Sequence, residues 1–277
     1  MSEQALSFGE SGALFGILSL PDSVDPARPA VLIPNSGLDH RTGPGRLHVH
    51  LARALAAAGI VCLRFDNAGL GDSDRVPGRA PGAFAPDLRA ALAALDARSL
   101  GQGFIVIGFG SGAHDAHQAA RVDPRIVGAV FLDGYTHPTP RYWLNYPIDR
   151  LGIAGRHVNT LVRTQRKLTS QAGDALHDVL SDEVHYFSPP TPRQMRADLV
   201  EFMRRSLSLL FIYTGQVEND YNYAGQLLDA FPILRDYRKL TLHHLPDADH
   251  RFGRRATRDA LIALLVPWVL GVPARSA

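Results

Sequence analysis

The chain is poor in sulfur, with one cysteine and three methionines among its 277 residues. A single cysteine excludes a disulfide framework and every metal site built from clustered thiolates. An excess of charge of one sign is also missing. Lys and Arg number 29 against 27 Asp and Glu, a formal net charge of +2, too balanced for a surface dedicated to nucleic acid or an anionic membrane. No apolar run is long enough for a bilayer: the most hydrophobic stretch, Leu261 to Leu270, is short and broken by Pro267. The opening residues carry Glu3 where a secretory leader has positive charge, and no apolar segment of leader type follows. These absences lead us to expect a soluble cytoplasmic protein that acts on a small molecule, with no nucleic-acid partner and no membrane span.

What is present is a set of short apolar runs: Ala30–Ile33, Val61–Asp66, Phe104–Gly108, Ile126–Asp133, Leu207–Gly215 and Leu240–Leu245. They are continuous rather than alternating, the pattern of strands buried on both faces. Stretches with helical spacing, such as Leu47–Ala58 and Asp87–Leu95, lie between them. The alternation predicts an α/β protein with a mostly parallel, doubly wound sheet. Ala5–Phe8 and Leu14–Leu20, flanking Gly9-Glu10-Ser11-Gly12, read as an antiparallel hairpin leading that sheet. The regular alternation stops between Tyr135 and Ser206. We therefore expect a core of residues 1–135 and 206–277, interrupted by a helical cap over 136–205. The insert holds Tyr142, Trp143, Tyr146, Tyr186 and Phe187, and Thr191-Pro192-Arg193-Gln194 has the residues of a capped helix start. Tyr142, Trp143 and Tyr146 are candidates for contacting an apolar or ring-bearing substrate group, or for anchoring the insert to the core.

The stretch Phe104-Ile-Val-Ile-Gly108-Phe109-Gly110-Ser111-Gly112-Ala113 passes from a strand through small residues into a helix. This is the setting of the G-x-S-x-G nucleophile elbow, with Gly108 and Gly112 at its ends. The residue between them, where a serine or cysteine would stand, is Gly110. Glycine has no side chain, so position 110 can form no acyl-enzyme, although glycine suits the strained turn. Ser111 is displaced from the nucleophile position and would have Phe109 at the tight position before it. Gly-x-Gly-x-x-Gly and Gly-Lys-Ser/Thr phosphate loops are absent. His114 and His117 lie on one face of the following helix without a third ligand, so no metal site is expected. Cys62 sits in a buried-strand pattern and reads as a packed apolar residue.

Pro34 to Arg41, Gly43 to Leu47, Leu63 to Asp66, Gly69 to Ser73 and the Gly108–Ala113 turn together resemble the α/β-hydrolases, over essentially the whole chain. Within that superfamily they are most similar to the serine-aminopeptidase-like branch and its hydrolases associated with the exosortase A system. There the elbow commonly reads Gly-Leu-Cys-Ser-Gly-Ala, which this chain matches at 108, 111, 112 and 113 and leaves at 110. The resemblance implies an oxyanion hole from the Gly37 or Leu38 N–H together with that of Ser111. It implies His250, after the last strand, as general base. For the acid that orients the histidine it suggests Glu218 first, then Asp220, with Asp133 as the third candidate.

The expected function is that of a hydrolase-fold enzyme of the esterase, thioesterase or acyltransferase class, acting on a small-to-medium acyl substrate. It would lack the covalent nucleophile and rely on His250 and an oxyanion hole, by direct water attack, lyase or cyclisation chemistry. Two alternatives stand beside it. One is a catalytically inactive protein that binds a small molecule. The other is a chain in which Cys or Ser at 110 has been replaced by Gly in an ordinary acyl hydrolase or acyltransferase. No cofactor is expected.

Overall fold

A computed structural model describes residues 1–78, 84–150, 190–217 and 220–275, the side chains of 146–150 and 216 excepted. Eight strands form one sheet in the order β1-β2-β4-β3-β5-β6-β7-β8. They are β1 (Ser2–Phe8), β2 (Leu14–Leu20), β3 (Ala30–Pro34), β4 (Cys62–Phe65), β5 (Phe104–Phe109), β6 (Ile126–Leu132), β7 (Ser208–Thr214) and β8 (Leu240–Leu245). The hairpin β1–β2 pairs antiparallel, with Ser2 opposite Leu20 and Phe8 opposite Leu14, and β2 pairs antiparallel with β4. From β4 to β8 every pairing is parallel. The mostly parallel sheet and its leading hairpin are thus as the residue pattern implies.

Each central strand feeds two cores by simple alternation. Leu32, Val106, Phe131 and Phe211 point to one face, where α2 (Phe84–Asp96), α3 (Gly112–Val122) and α5 (Pro192–Arg204) bury Leu88, Leu92, Ala116, Leu199 and Phe202. Ile33, Ile107, Val130 and Ile212 point to the other, against Leu51 and Leu55 of α1 (Leu47–Ala57) and Leu261 and Leu265 of α7 (Arg255–Gly271). Both faces are apolar, which is why β3, β5 and β7 read as unbroken hydrophobic runs and are buried at every position. Two further helices, α4 (Pro140–Arg150) and α6 (Gln226–Ala230), lie outside this scheme.

Residues 140–150 and 192–204 of the expected cap are helical, and 151–189, with Tyr186 and Phe187, lie outside the described residues. The start of α5 is capped as its sequence suggests. The Thr191 hydroxyl accepts from the Gln194 N–H at 3.3 Å, and the Gln194 side chain accepts from the Thr191 N–H at 3.0 Å.

The chain runs from β3 to β4 on one side of the sheet and then returns to β5 on the other side of β3. A crevice opens at such a reversal, beyond the carboxyl ends of the strands. The loops after β3 and β5 border it.

Candidate active site

The turn after β5 is as sharp as its glycines require. A Cβ on Gly108 would come within 2.1 Å of the Gly112 carbonyl oxygen, so strand and helix meet only because that side chain is absent. Gly112 is less constrained: a Cβ there would find its nearest neighbour, the Asn35 carbonyl oxygen, at 3.5 Å. Gly110 has φ +54°, in the left-handed region. Its N–H donates to the Leu132 carbonyl at 2.8 Å, and its own carbonyl accepts from Ala113 N at 3.0 Å. A Cβ built on Gly110 would stand 3.1 Å from both Cε1 and Nε2 of His250 and 3.5 Å from Ser36 Oγ. The missing side chain would therefore point at the imidazole.

His250 stands in the loop after β8, and the Asp249 side chain shapes that loop. Its carboxylate accepts from the backbone N–H groups of Arg251 at 3.1 Å and Gly253 at 3.0 Å, a local turn that aspartate favours. Phe252 buries its ring beneath the loop. The Ala248 carbonyl accepts from Gly215 N at 3.1 Å and holds the segment against the end of β7.

His250 Nδ1 lies 2.7 Å from Asp133 Oδ2. Asp133 directly follows β6, has φ +47° and keeps its carboxylate wholly out of solvent. Two further donors fix it: Thr214 N to Oδ1 and Thr214 Oγ1 to Oδ2, both at 2.7 Å. A carboxylate can only accept, so it places the imidazole proton on Nδ1 and leaves the Nε2 lone pair facing Gly110. The hydrogen bond that His250 donates to Asp133 raises the histidine pKa above its ordinary 6.5, and partial burial opposes the rise.

Ser36, Gly37 and Leu38 follow β3 and lean over the elbow. The Ser36 hydroxyl donates to the Phe109 carbonyl at 2.5 Å, and a Cβ on Gly37 would meet Ser111 Oγ at 3.1 Å. Asn35 supports this loop from inside, donating to the Gly37 carbonyl at 2.7 Å and accepting from Asn67 N at 2.9 Å. Among the described residues, the N–H groups of Gly37, Leu38 and Ser111 have no protein acceptor. Arg251 Nη2 reaches Asp39 Oδ1 at 3.0 Å and ties the histidine loop to the same segment.

The other sequence candidates fall elsewhere. Glu218, the preferred acid, lies outside the described residues. Asp220 is exposed, and its backbone carbonyl accepts from Gln226 Nε2 at 2.7 Å. Of the two described carboxylates, Asp133 is the one set against His250. Tyr142 is buried, and its carbonyl accepts from Asn222 Nδ2 at 3.1 Å, which ties α4 to the core. Trp143 is 57% exposed on the same helix, and the side chain of Tyr146 lies outside the described part of the chain. His114 and His117 do not converge on a common point: His114 Nδ1 meets the Tyr135 hydroxyl, whereas buried His117 faces Asp198 at 3.2 Å. Burial pushes the Cys62 thiol up, away from the reactive thiolate. Among the described residues, one group of three potential metal ligands, His40, Asp66 and Asp72, is drawn together. The Arg41 guanidinium is ion-paired to both of its carboxylates, so they already hold a cation.

Sequence reasoning passed over Ser36 as a brace of the elbow and Thr214 as the support of Asp133. Thr214 has a legible mark, a hydroxyl at the carboxyl end of a largely apolar strand. Ser36 has none, because its partner is a carbonyl 73 residues away.

Residues 31–264 match a family model described as the alpha/beta hydrolase family. No curated protein matches the sequence. Among solved structures, an esterase of Pyrococcus furiosus is similar with a TM-score of 0.62 at 14% identity, over 98% of this chain and 91% of that one. The esterase domain of a Rhodothermus marinus protein gives 0.56 at 19% identity, over 96% of this chain and 97% of that one. A Xanthomonas campestris serine hydrolase described as having no lid gives 0.54 at 18% identity, over 100% of this chain and 96% of that one. At such identities the likeness is one of fold. No helix among the described residues is long and apolar enough to cross a membrane.

Proposed function

The chain belongs to the alpha/beta hydrolase family, and from that premise we propose that it hydrolyses small-to-medium acyl esters or thioesters without an acyl-enzyme. In this reading His250 is the general base, Asp133 its orienting acid, and the N–H groups of Gly37, Leu38 and Ser111 the oxyanion hole. The resemblance at residues 34–41, 43–47, 63–66 and 69–73 supports reading it as nearest the serine-aminopeptidase-like branch and its exosortase-associated hydrolases. The observation that carries the reading is the direction of the Gly110 position: its absent side chain would touch His250 Nε2, while Nδ1 is held by Asp133.

A histidine so held, facing a position that carries no side chain, can take its proton from a water molecule. His250 Nε2 takes a proton from water as the oxygen attacks the acyl carbonyl carbon. The carbonyl oxygen gains the negative charge and is met by backbone N–H groups that require no reorganisation. Collapse of the tetrahedral intermediate expels the alcohol or thiol, which leaves with the proton held on Nε2. Asp133 stabilises the imidazolium throughout and stays ionised. General-base assistance of this kind contributes about 10²–10⁴-fold. The segment 136–205 serves here as a cap whose helix α4 presents Trp143 toward an apolar acyl group.

The test is a panel of esters and thioesters, quenched during turnover and examined by intact-protein mass spectrometry. Turnover with no mass adduct supports the reading. An acyl adduct on Ser111 overturns it. Failure to turn over any substrate that nevertheless binds would make the chain a small-molecule-binding protein instead.

A further inference from the structure

Away from the crevice, at the opposite ends of the strands, lies a cavity of about 590 Å³. The whole of β6, about 20 Å of extended chain, separates it from Asp133. Its size is that of a small-molecule site. Five cationic side chains line it, Arg121, Arg204, Arg205, Lys239 and Arg275, against one carboxylate, Glu201.

Two of these cations are already matched. Arg121 pairs with Asp198 at 3.1 Å, and Arg204 with Glu201 at 2.8 Å. The other three have no carboxylate partner among the described residues. Arg205 donates to the carbonyls of Ala120, Asp123 and Ile126, the latter two at 2.9 and 3.3 Å, where it caps the end of α3. Lys239 Nζ donates to the Ser206 carbonyl at 2.9 Å. Arg275 is exposed and fastened only through its backbone, its N–H donating to Gln102 O at 3.1 Å. Burial lowers the Arg205 pKa, the Glu201 and Asp123 carboxylates oppose that shift, and the nearby charges of Arg204 and Arg275 add to it. Capping a helix end needs one of these cations and does not account for Arg275. The remaining wall is apolar, formed by Val122, Ile126, Val127 and Pro273, and Val122 is 52% exposed.

We propose that this cavity is a second binding site, for a small organic phosphate. Its anionic head would sit among Arg205, Lys239 and Arg275, and its apolar body against Val122 and Pro273. Like charges gathered around a concave surface raise the local potential and draw in an anion, while an uncharged ligand of the same shape gains only the wall. The guanidinium of Arg275 offers the paired donors that phosphate oxygens accept, and Arg205, whose terminal nitrogens are held by backbone carbonyls, adds its charge.

Isothermal titration of the full chain at low ionic strength, with phenyl phosphate, inorganic phosphate and phenol as probes, tests the site. Phenyl phosphate is expected to bind with a stoichiometry of one, more tightly than either of the other probes. Arg275→Glu should weaken it by about tenfold or more and Lys239→Gln by severalfold, the loss expected for one reversed or removed charge contact. Arg89→Glu, on the exposed side of α2, changes net charge equally and should leave the affinity within about twofold at matched ionic strength. Absence of saturable binding overturns the proposal. So does an equal loss in Arg89→Glu and Arg275→Glu, which would mean that only net charge was sensed. Equal affinity for inorganic and phenyl phosphate would remove the organic part of the ligand.

Discussion

Replacing Gly110 with serine probes the turn and the site together. The residue sits at φ +54°, a conformation that costs an L-residue about 1–2 kcal/mol relative to glycine. The new Cβ would also lie 3.1 Å from Cε1 and Nε2 of His250, so the ring must give way by a few tenths of an ångström. It can do so, because its side chain is 43% exposed. Urea denaturation should therefore show a folded variant destabilised by about 1–2 kcal/mol, most of it backbone strain. The hydroxyl of that serine would stand beside the Nε2 lone pair. Incubation with p-nitrophenyl acetate should then give a burst of nitrophenol and a protein heavier by one acetyl group, which the parent chain does not form. Gly110→Cys should behave likewise with thioesters. A folded Gly110→Ser that loses no stability, and that no ester or thioester acylates, would refute the assignment of this turn as a nucleophile elbow facing His250.

Other consequences follow from the same geometry. Because Asp133 raises the His250 pKa and the neutral imidazole is the base, turnover should rise with pH through an inflection above 6.5. In Asp133→Asn the inflection should move down and the rate fall by about 10²–10⁴-fold, and an unchanged profile would contradict the pairing. Buried His48, packed 4.6 Å from the Phe109 ring, has its pKa lowered to about 4 by burial. The unfolded chain binds that proton first, so this histidine withdraws stability as pH falls from about 6.5 toward 4, by up to about 1.4 kcal/mol per pH unit. His48→Leu should remove that slope, visible as urea midpoints at pH 7 and pH 5 that lie closer together than in the parent. Loss of the cap on α5 in Thr191→Ala should cost about 1 kcal/mol, measured by the same denaturation.

The strands were legible because the sheet is covered on both sides, which leaves β3, β5 and β7 with no polar position inside them. The elbow was legible because Gly108 has no room for any side chain. The orienting acid was harder to read. A carboxylate after a strand can be located in sequence, but β6 and β7 are neighbours, and the loops after both end close to the histidine loop. What holds Asp133 against His250 is its left-handed backbone and the two donors from Thr214, contacts that span 81 residues and leave no periodic trace. The cluster of cations at the foot of the sheet was invisible for the same reason. Arg121, Arg205, Lys239 and Arg275 are scattered through a nearly neutral composition and meet only in the fold.

In the proposed function His250 activates water directly, in a site with no nucleophile at position 110. The most direct measurement of that role is the ratio of kcat/KM between the chain and His250→Ala, on an ester that the chain turns over. We expect a fall of about 10²–10⁴-fold, with no acyl adduct on either protein. Equal rates in the two proteins would contradict it.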